Sequence, residues 1–553
     1  MSDRRVGAVN APQVGGTPWS SRDYTAMGLP ASFDLPVGGH LDALADLAAG
    51  AAYLEWRRYQ HAAALHTELV VPEEDRDERA VDAFAQCAAR LATTLSVSQY
   101  VAERLLDDAV ALRDRLPRVA ECLRDGVVSA NFIRTVVSRT ELIHGRSYQG
   151  LVDADIAAAL RKPGTWSAAR VRDLCDQMVY RRDPDAVRER RDDALKGRCF
   201  FTEAGLDGMA TVGATMSAEQ AAIVARVVER LAAQVCRHDS RTKTARASDA
   251  LFALVKHAPF GCDCARPECA FTVVDADEVA ANAARIVIHV VTDTTTLAGP
   301  VPAAAAAAAK PAAQAQTRDG DTTATAADRV VASEEAAVDA APVDVAPVEE
   351  VVVEETAAEP ELVDGVGYIA GLGIVSGAHV RDLAADPATL IRPLGDGTDT
   401  PLPATQPADP YRPSAALNTY IRARDQYCTW PGCNKPARDG DLDHITEYDH
   451  RNPAAGGQTS ACGLGAKCRF HHLLKTFGDF VDDQYPDPEN PGRVIRTFTI
   501  PEGRTVLGPA YTGFDTHPGL DMIVFGDPPA TGKNHPPEPE PPRPAPRTDQ
   551  QHP

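Results

Sequence analysis

The stretch YCTWPGCNKPARDGDLDHITEYDHRNPAAGGQTSACGLGAKCRFHHLLKTFGDF, residues 427–480, decides how this chain is read. Cys428 and Cys433 form a CxxxxC knuckle around Pro431-Gly432, and Cys468 and His471 form a CxxH pair. Asp443-His444 lies between the pairs, and His472 directly follows the second. Zn2+ favours four thiolate or imidazole ligands in a tetrahedron, and two close pairs separated by a few tens of residues supply them. Cys428, Cys433, Cys468 and His471 are therefore expected to pin a hairpin to the start of a helix. So small a module has little apolar core, and metal would supply much of its stability. Cys462 is a spare thiol that could replace one ligand. Four ordinary buried Cys and His side chains are the alternative.

Asp443, His444 and His472 suit a different ion. A divalent cation beside a scissile phosphate needs hard or borderline ligands and open positions. A carboxylate and an imidazole meet that need, and a neutral His can act as general base near neutral pH. His471 and His472 diverge by about 100° on a helix, so one can serve zinc and the other a second ion. Adjacent strand residues face opposite ways, so Asp443 and His444 share a site only where a strand ends. The following Asn452-Pro453 and Gly456-Gly457 are consistent with such an end.

With CTWPGC, DLDH, GGQTS and KCRFHHLLKTF in this order, residues 415–510 resemble the HNH (ββα-metal) endonuclease module. The version is that of the 13E12-repeat family, in which a largely helical domain of unknown function precedes the nuclease. A weaker likeness covers 40–300 and 363–395, through LDGMATVGATMSAEQA and RDRLPRVAECLRDGVVSANFIRTVV. The resemblance implies His444 as general base, and Asp443 and His472 as ligands of a catalytic Mg2+ or Mn2+. It implies structural Zn2+ on Cys428, Cys433, Cys468 and His471, and hydrolysis of DNA to 5′-phosphate ends. One position departs from the family. Gly463-Leu464 stands where Asn-Leu is usual, so the side chain that ties the loop to the base-bearing strand is missing. Asn452 is a weak substitute. The module is thus expected to be a nuclease or, alternatively, a zinc-stabilised DNA-binding or interaction unit that has lost catalysis. Gly463→Asn is the test between them: gain of activity would show that the scaffold is otherwise competent.

Residues 411–480 carry nine Lys+Arg and seven Asp+Glu, whereas the whole chain has a net charge of −22. Such an acidic chain does not coat polyphosphate, but a local basic site can. Arg424, Arg438, Lys467, Arg469 and Lys475 are the expected DNA contacts, with Arg422 and Arg451 as further candidates.

Outside the module the expected class is α+β, with a mainly helical N-terminal domain carrying a small β element. Residues 1–38 read as a disordered lead-in. Residues 39–299 read as helices: Leu41, Leu44, Leu47, Ala48, Ala51 and Leu54 share one face. Ser96 or Ser98, Ser129 and Ser217 are expected N-caps, and Pro117 suits a first turn. Tyr100, Val101, Leu105 and Leu106 are expected in the core. Asp207-Gly208 reads as a hairpin turn and 284–297 as a strand. Residues 301–360 hold 21 Ala and a net charge of −9, which reads as a disordered insertion (300–362) able to mimic phosphate on the basic face. Residues 363–400 then return to the helical domain as strand, helix and strand. The nuclease module fills 411–527, and 528–553 is a Pro-rich disordered tail. Cys262, Cys264 and Cys269, with His257 nearby, form either a second zinc site or a loop with incidental thiols. The N-terminus has no hydrophobic signal region and no long apolar run occurs, so a cytoplasmic location away from the membrane is expected.

Overall fold

The computed structural model describes residues 30, 32–73, 82–303, 362–394 and 411–525, less 206, 265, 270, 272–274, 283–289, 388, 393, 491 and 524. The sequence-based expectations for the lead-in, the acidic insertion and the Pro-rich tail lie almost wholly outside the described residues.

The fold is α+β, with helices dominant and five small antiparallel sheets of two or three strands among the described residues. Local chemistry sets the helix starts. Asp82, Ser98 and Ser129 each accept a backbone N–H at the head of Ala83–Leu95, Gln99–Asp114 and Ala130–Arg139. Pro117 opens Pro117–Arg124. With Val37–Leu69, Gln149–Leu160 and Ala168–Arg182, these helices enclose Cys87, Leu106, Leu123, Ile133, Ile156 and Leu174.

The first helix departs from the leucine-stripe expectation. Its buried residues are Ala52, Tyr59, Ala62, Ala63 and His66, while Leu44, Leu47 and Leu54 are exposed. Small residues let the neighbouring helices come close, and the leucines lie mostly in the uncovered first half. Tyr100 and Val101 are likewise exposed, in the first turn of their helix, with Arg104 over the Tyr100 ring. Leu105 and Leu106 are buried.

The Phe200–Ala204 and Ala210–Ala214 strands pair around Asp207 and Gly208, at φ 55° and 76°. That left-handed pair matches the right-handed twist of a hairpin. Ser217 and Gln220 form a capping box on Ala218–Ala232. This helix packs on Lys243–Lys256 around Leu231, Ala250 and Phe260.

Of the expected 284–297 strand, residues 284–289 lie outside the described residues and Val290–Val291 is extended. Asp293 then accepts the Thr296 N–H at 2.7 Å and caps a helix, Thr294–Ala298. Val290–Val291 pairs with Val366–Ile369, which pairs with Gly373–Ser376. Val301–Pro302 pairs with Leu362–Val363. The two sides of the acidic insertion therefore join the same structure. From there the order is three strands, Leu362–Val363, Val366–Ile369 and Gly373–Ser376, and then the helix Gly377–Ala385; the strand expected after the helix falls partly outside the described residues. The tight Gly371–Gly373 turn closes a hairpin first, with both glycines at positive φ.

The C-terminal part comprises the Ala415–Asp425 helix, an Asp441–His444/Leu464–Lys467 strand pair, the Arg469–Phe477 helix and a three-stranded sheet. That sheet orders Val481–Pro486, Val494–Thr499 and Thr505–Leu507. Leu417, Tyr420, Ile421, Leu464 and Phe514 form its core. It docks on the Ala168–Arg182 helix through buried polar contacts. Arg170 is 2% exposed and donates to the Tyr511, Asp425 and Cys428 carbonyls. Tyr427 donates to Asp173 at 2.5 Å, and Tyr511 to Gln177 at 2.6 Å.

Candidate metal centre and active site

The knuckle is built by the backbone before any metal is considered. The Cys428 N–H donates to Lys435 at 2.7 Å and the Cys433 N–H to Trp430 at 3.1 Å, around Gly432 at φ 72°. The Thr429 N–H donates to Ala466 at 2.9 Å, stitching the knuckle to the strand that leads into Cys468. Cys468 is the N-cap of the Arg469–Phe477 helix, so His471 returns over it one turn later. The Cys428, Cys433, Cys468 and His471 ligand atoms lie within 4.8 Å of one another. His471 Nδ1 is 3.4 Å from Cys428 Sγ and 3.3 Å from Cys468 Sγ. Neighbouring ligands around tetrahedral Zn2+ sit roughly 3.5–3.8 Å apart, so the donor set fits that ion. Trp430 stacks flat on the His471 ring at 4.8 Å and 2°, fixing its plane. Burial holds the His471 pKa below its ordinary value, which favours the neutral, ligating form. Cys462 lies outside this group of four.

The second group sits where the strand meets the same helix. Asp441 and Asp443 are two apart on one strand and point to one face. His472 lies against both: its Nδ1 is 2.8 Å from Asp441 Oδ2 and its Nε2 is 3.5 Å from Asp443 Oδ1. The His472 contact holds the Asp441 carboxyl below its usual range. Asp441 had no signal of its own in the sequence beyond its two-residue offset from Asp443.

His444 is the last residue of its strand, and its ring meets partners other than those of Asp443. Its Nε2 is 2.9 Å from Thr459 Oγ1, and its ring stacks on Tyr411 at 5.3 Å and 16°. Tyr448 lies 5.2 Å away. Burial pushes the His444 pKa below its ordinary value, with Asp443 opposing and Lys475 reinforcing. Thr459 belongs to the GGQTS run, but its service to His444 depends on the loop's path and is not readable from spacing.

The loop at Gly463 is rebuilt rather than left loose. The Gly463 N–H donates to Ser460 Oγ at 2.9 Å, and its carbonyl accepts the Ile445 N–H at 2.9 Å. A Cβ at 463 would lie 2.0 Å from the Gln458 carbonyl oxygen. No side chain fits there, so Gly463→Asn is not a restoration. Asn452 is exposed and does not replace the absent side chain.

The expected DNA contacts divide sharply. Arg424 is 1% exposed, pairs with Asp425 at 2.7 Å and donates to the Leu464 carbonyl. Lys467 is fully buried on Asp482 and Thr429. Both are core ions and are not presented to a nucleic acid. Lys475 turns inward onto Asp443 Oδ2 at 2.9 Å and onto the His444 carbonyl. Arg422 is spent on the Ala437 and Gly440 carbonyls. Arg438 is partly exposed beside Asp439, and the Arg469 side chain is 72% exposed, 3.3 Å from Asp441. Arg451 is exposed.

The other cysteine group also differs from expectation. Cys262, Cys264 and Cys269 gather with Cys236, all four sulfurs within 4.8 Å. His257 instead faces Asp277 at 2.9 Å. Among the described residues no helix is long and apolar enough to cross a membrane.

Residues 42–311 match the family model described as a domain of unknown function, DUF222. The chain is 30% identical over 486 residues to "Uncharacterized protein Rv3776" of Mycobacterium tuberculosis, covering 87% of this chain and 78% of that one. It is 31% identical over 452 residues to "Uncharacterized protein Rv2100" of the same species, covering 81% and 72%. No solved structure matches. The match to the domain model and the length of the shared alignments together make this chain a member of the DUF222 family.

Proposed function

We propose that the C-terminal part is an HNH-type endonuclease that hydrolyses DNA phosphodiester bonds with a divalent ion. The observation that carries this reading is the Asp443–His472 pair. Two ligands of one ion at roughly 2.1 Å lie about 3.0–3.5 Å apart, and the two side chains are separated by 3.5 Å. His472 also has the second contact expected of a ligating imidazole, its Nδ1 on the Asp441 carboxylate. A bound Mg2+ or Mn2+ would neutralise charge developing on the phosphoryl oxygens and the leaving 3′ oxygen. His444, kept neutral by burial and held in plane by Tyr411 and Thr459, takes a proton from water. Arg469 stands exposed at the rim, available to a phosphate.

The test is plasmid nicking by the zinc-loaded full chain with Mg2+ or Mn2+. The native protein is expected to nick, and His444→Ala to lose nicking while keeping its zinc. Equal nicking by both would reject the assignment. The acid limb of the rate profile should fall below the ordinary His value near pH 6.5, because burial favours the neutral ring.

One observation favours the second reading, a zinc-stabilised DNA-binding unit without catalysis. Lys475 holds Asp443 Oδ2, so an ion on Oδ1 would share that carboxylate with a cation. DNA binding indifferent to Mg2+ and Mn2+, with no cleavage in either, would select it.

A further inference from the structure

We propose that Cys236, Cys262, Cys264 and Cys269 form a second, purely structural zinc site, within the DUF222-matching region and separate from the knuckle. This site does not rest on the cleavage reading.

Four sulfurs converge from two loops. Cys236 follows the Ala218–Ala232 helix, and the other three follow Lys243–Lys256. Cys236 and Cys262 Sγ are 3.4 Å apart, and every pair of the four lies within 4.8 Å. Four thiolates at about 2.3 Å from Zn2+ stand roughly 3.8 Å from one another. A pair of disulfides would need two separate couples, whereas here each sulfur neighbours the other three. Thiolates carry charge that backbone amides can share. The His238 N–H donates to Cys236 Sγ at 3.4 Å, and the amides of Arg266 and Phe271 serve Cys264 and Cys269.

The two loops are held in place by other bonds as well. Arg241 joins Asp239 to the Gly261 carbonyl, each at 2.8 Å, and lies over Phe260. Asp239 also accepts the Asp263 N–H at 2.9 Å, and Ser240 donates to Asp263 at 2.7 Å. The cradle is therefore preorganised. The lobe it closes has a thin core: Leu231, Ala232, Ala250, Ala253, Phe260 and Ala276, four of them alanine. Such a lobe gains most from a metal staple. Four protein ligands leave no open coordination position, which makes the role structural.

The test uses the full-length chain purified under reductant. Metal analysis should find one zinc fewer per chain in Cys264→Ser/Cys269→Ser than in the native protein. The knuckle variant Cys428→Ser/Cys468→Ser should retain that zinc. Iodoacetamide mapping of the native protein covers the case in which a variant fails to fold. The four thiols, all partly exposed, should resist alkylation until a chelator is added, then react. Immediate alkylation without chelator, disulfides among the four, or an unchanged zinc count in a folded variant would overturn the site.

Discussion

Replacing Lys475 by Met should tighten divalent-ion binding at Asp443. The Lys475 ammonium sits 2.9 Å from Asp443 Oδ2, with side chains only 11% and 10% exposed. An ion held at Asp443 Oδ1 would share the carboxylate with that ammonium and be repelled by it. A hydrogen bond to a charged group contributes about 1.5–3 kcal/mol. Methionine keeps the apolar stem and removes the competitor, so the Mn2+ dissociation constant should drop roughly 10- to 100-fold. Stability without the ion should fall, because Asp443 loses its cation, by about 1–3 kcal/mol. Saturating Mn2+ should recover it, since an ion at 100 times its Kd adds about 2.7 kcal/mol. The assay is calorimetric titration of Mn2+ into the zinc-loaded full chain, with thermal melts alongside. Unchanged or weaker binding in Lys475→Met would refute the competition. So would equal tightening in Lys475→Met/Asp443→Asn, because the ion would then be elsewhere.

Gly463→Ala should lower the melting temperature, since its Cβ would meet the Gln458 carbonyl at 2.0 Å; a neutral substitution would show that the loop yields. Lys467→Met should cost about 3–5 kcal/mol in denaturant melts by stranding buried Asp482, and Lys467→Met/Asp482→Leu should recover much of it. Arg469→Ala should leave the melts alone and reduce the salt slope of DNA binding by roughly one unit. His517, 4% exposed, has its pKa pushed down to about 4 by burial, with Asp293 opposing. Its folded pKa lies below the unfolded value, so its contribution is full above pH 6.5 and is lost as pH falls toward 4. The loss is about 3 kcal/mol at most, and His517→Gln should flatten the acid side of the stability curve.

What the sequence makes legible follows from how local each determinant is. Ser98, Ser129 and Ser217 act within three residues of themselves, and their helices start where the pattern places them. The Asp207-Gly208 turn is equally local. The knuckle cysteines are brought together by a short hairpin, so spacing alone finds them. Cys236 escapes because a whole helix separates it from Cys262. Charge misleads for a related reason: nothing near Lys467 in sequence shows that Asp482 will enclose it, and nothing near Arg424 shows that it will reach the Leu464 carbonyl. The 284–297 run is apolar enough for a strand, but Asp293 stops it by offering the next amides a cap. Thr459 acquires its role only once the loop has folded back on His444.

The fully buried guanidinium of Arg170 has a consequence for dissection of the molecule. Three carbonyls of the C-terminal half accept from a single side chain of the N-terminal half. A truncation starting near residue 411 would take that donor from the Tyr511 and Cys428 oxygens, while the Asp425 carbonyl would keep the Tyr427 N–H. The two halves share this buried contact, so any trial of the C-terminal part's chemistry has to carry its helical neighbour along.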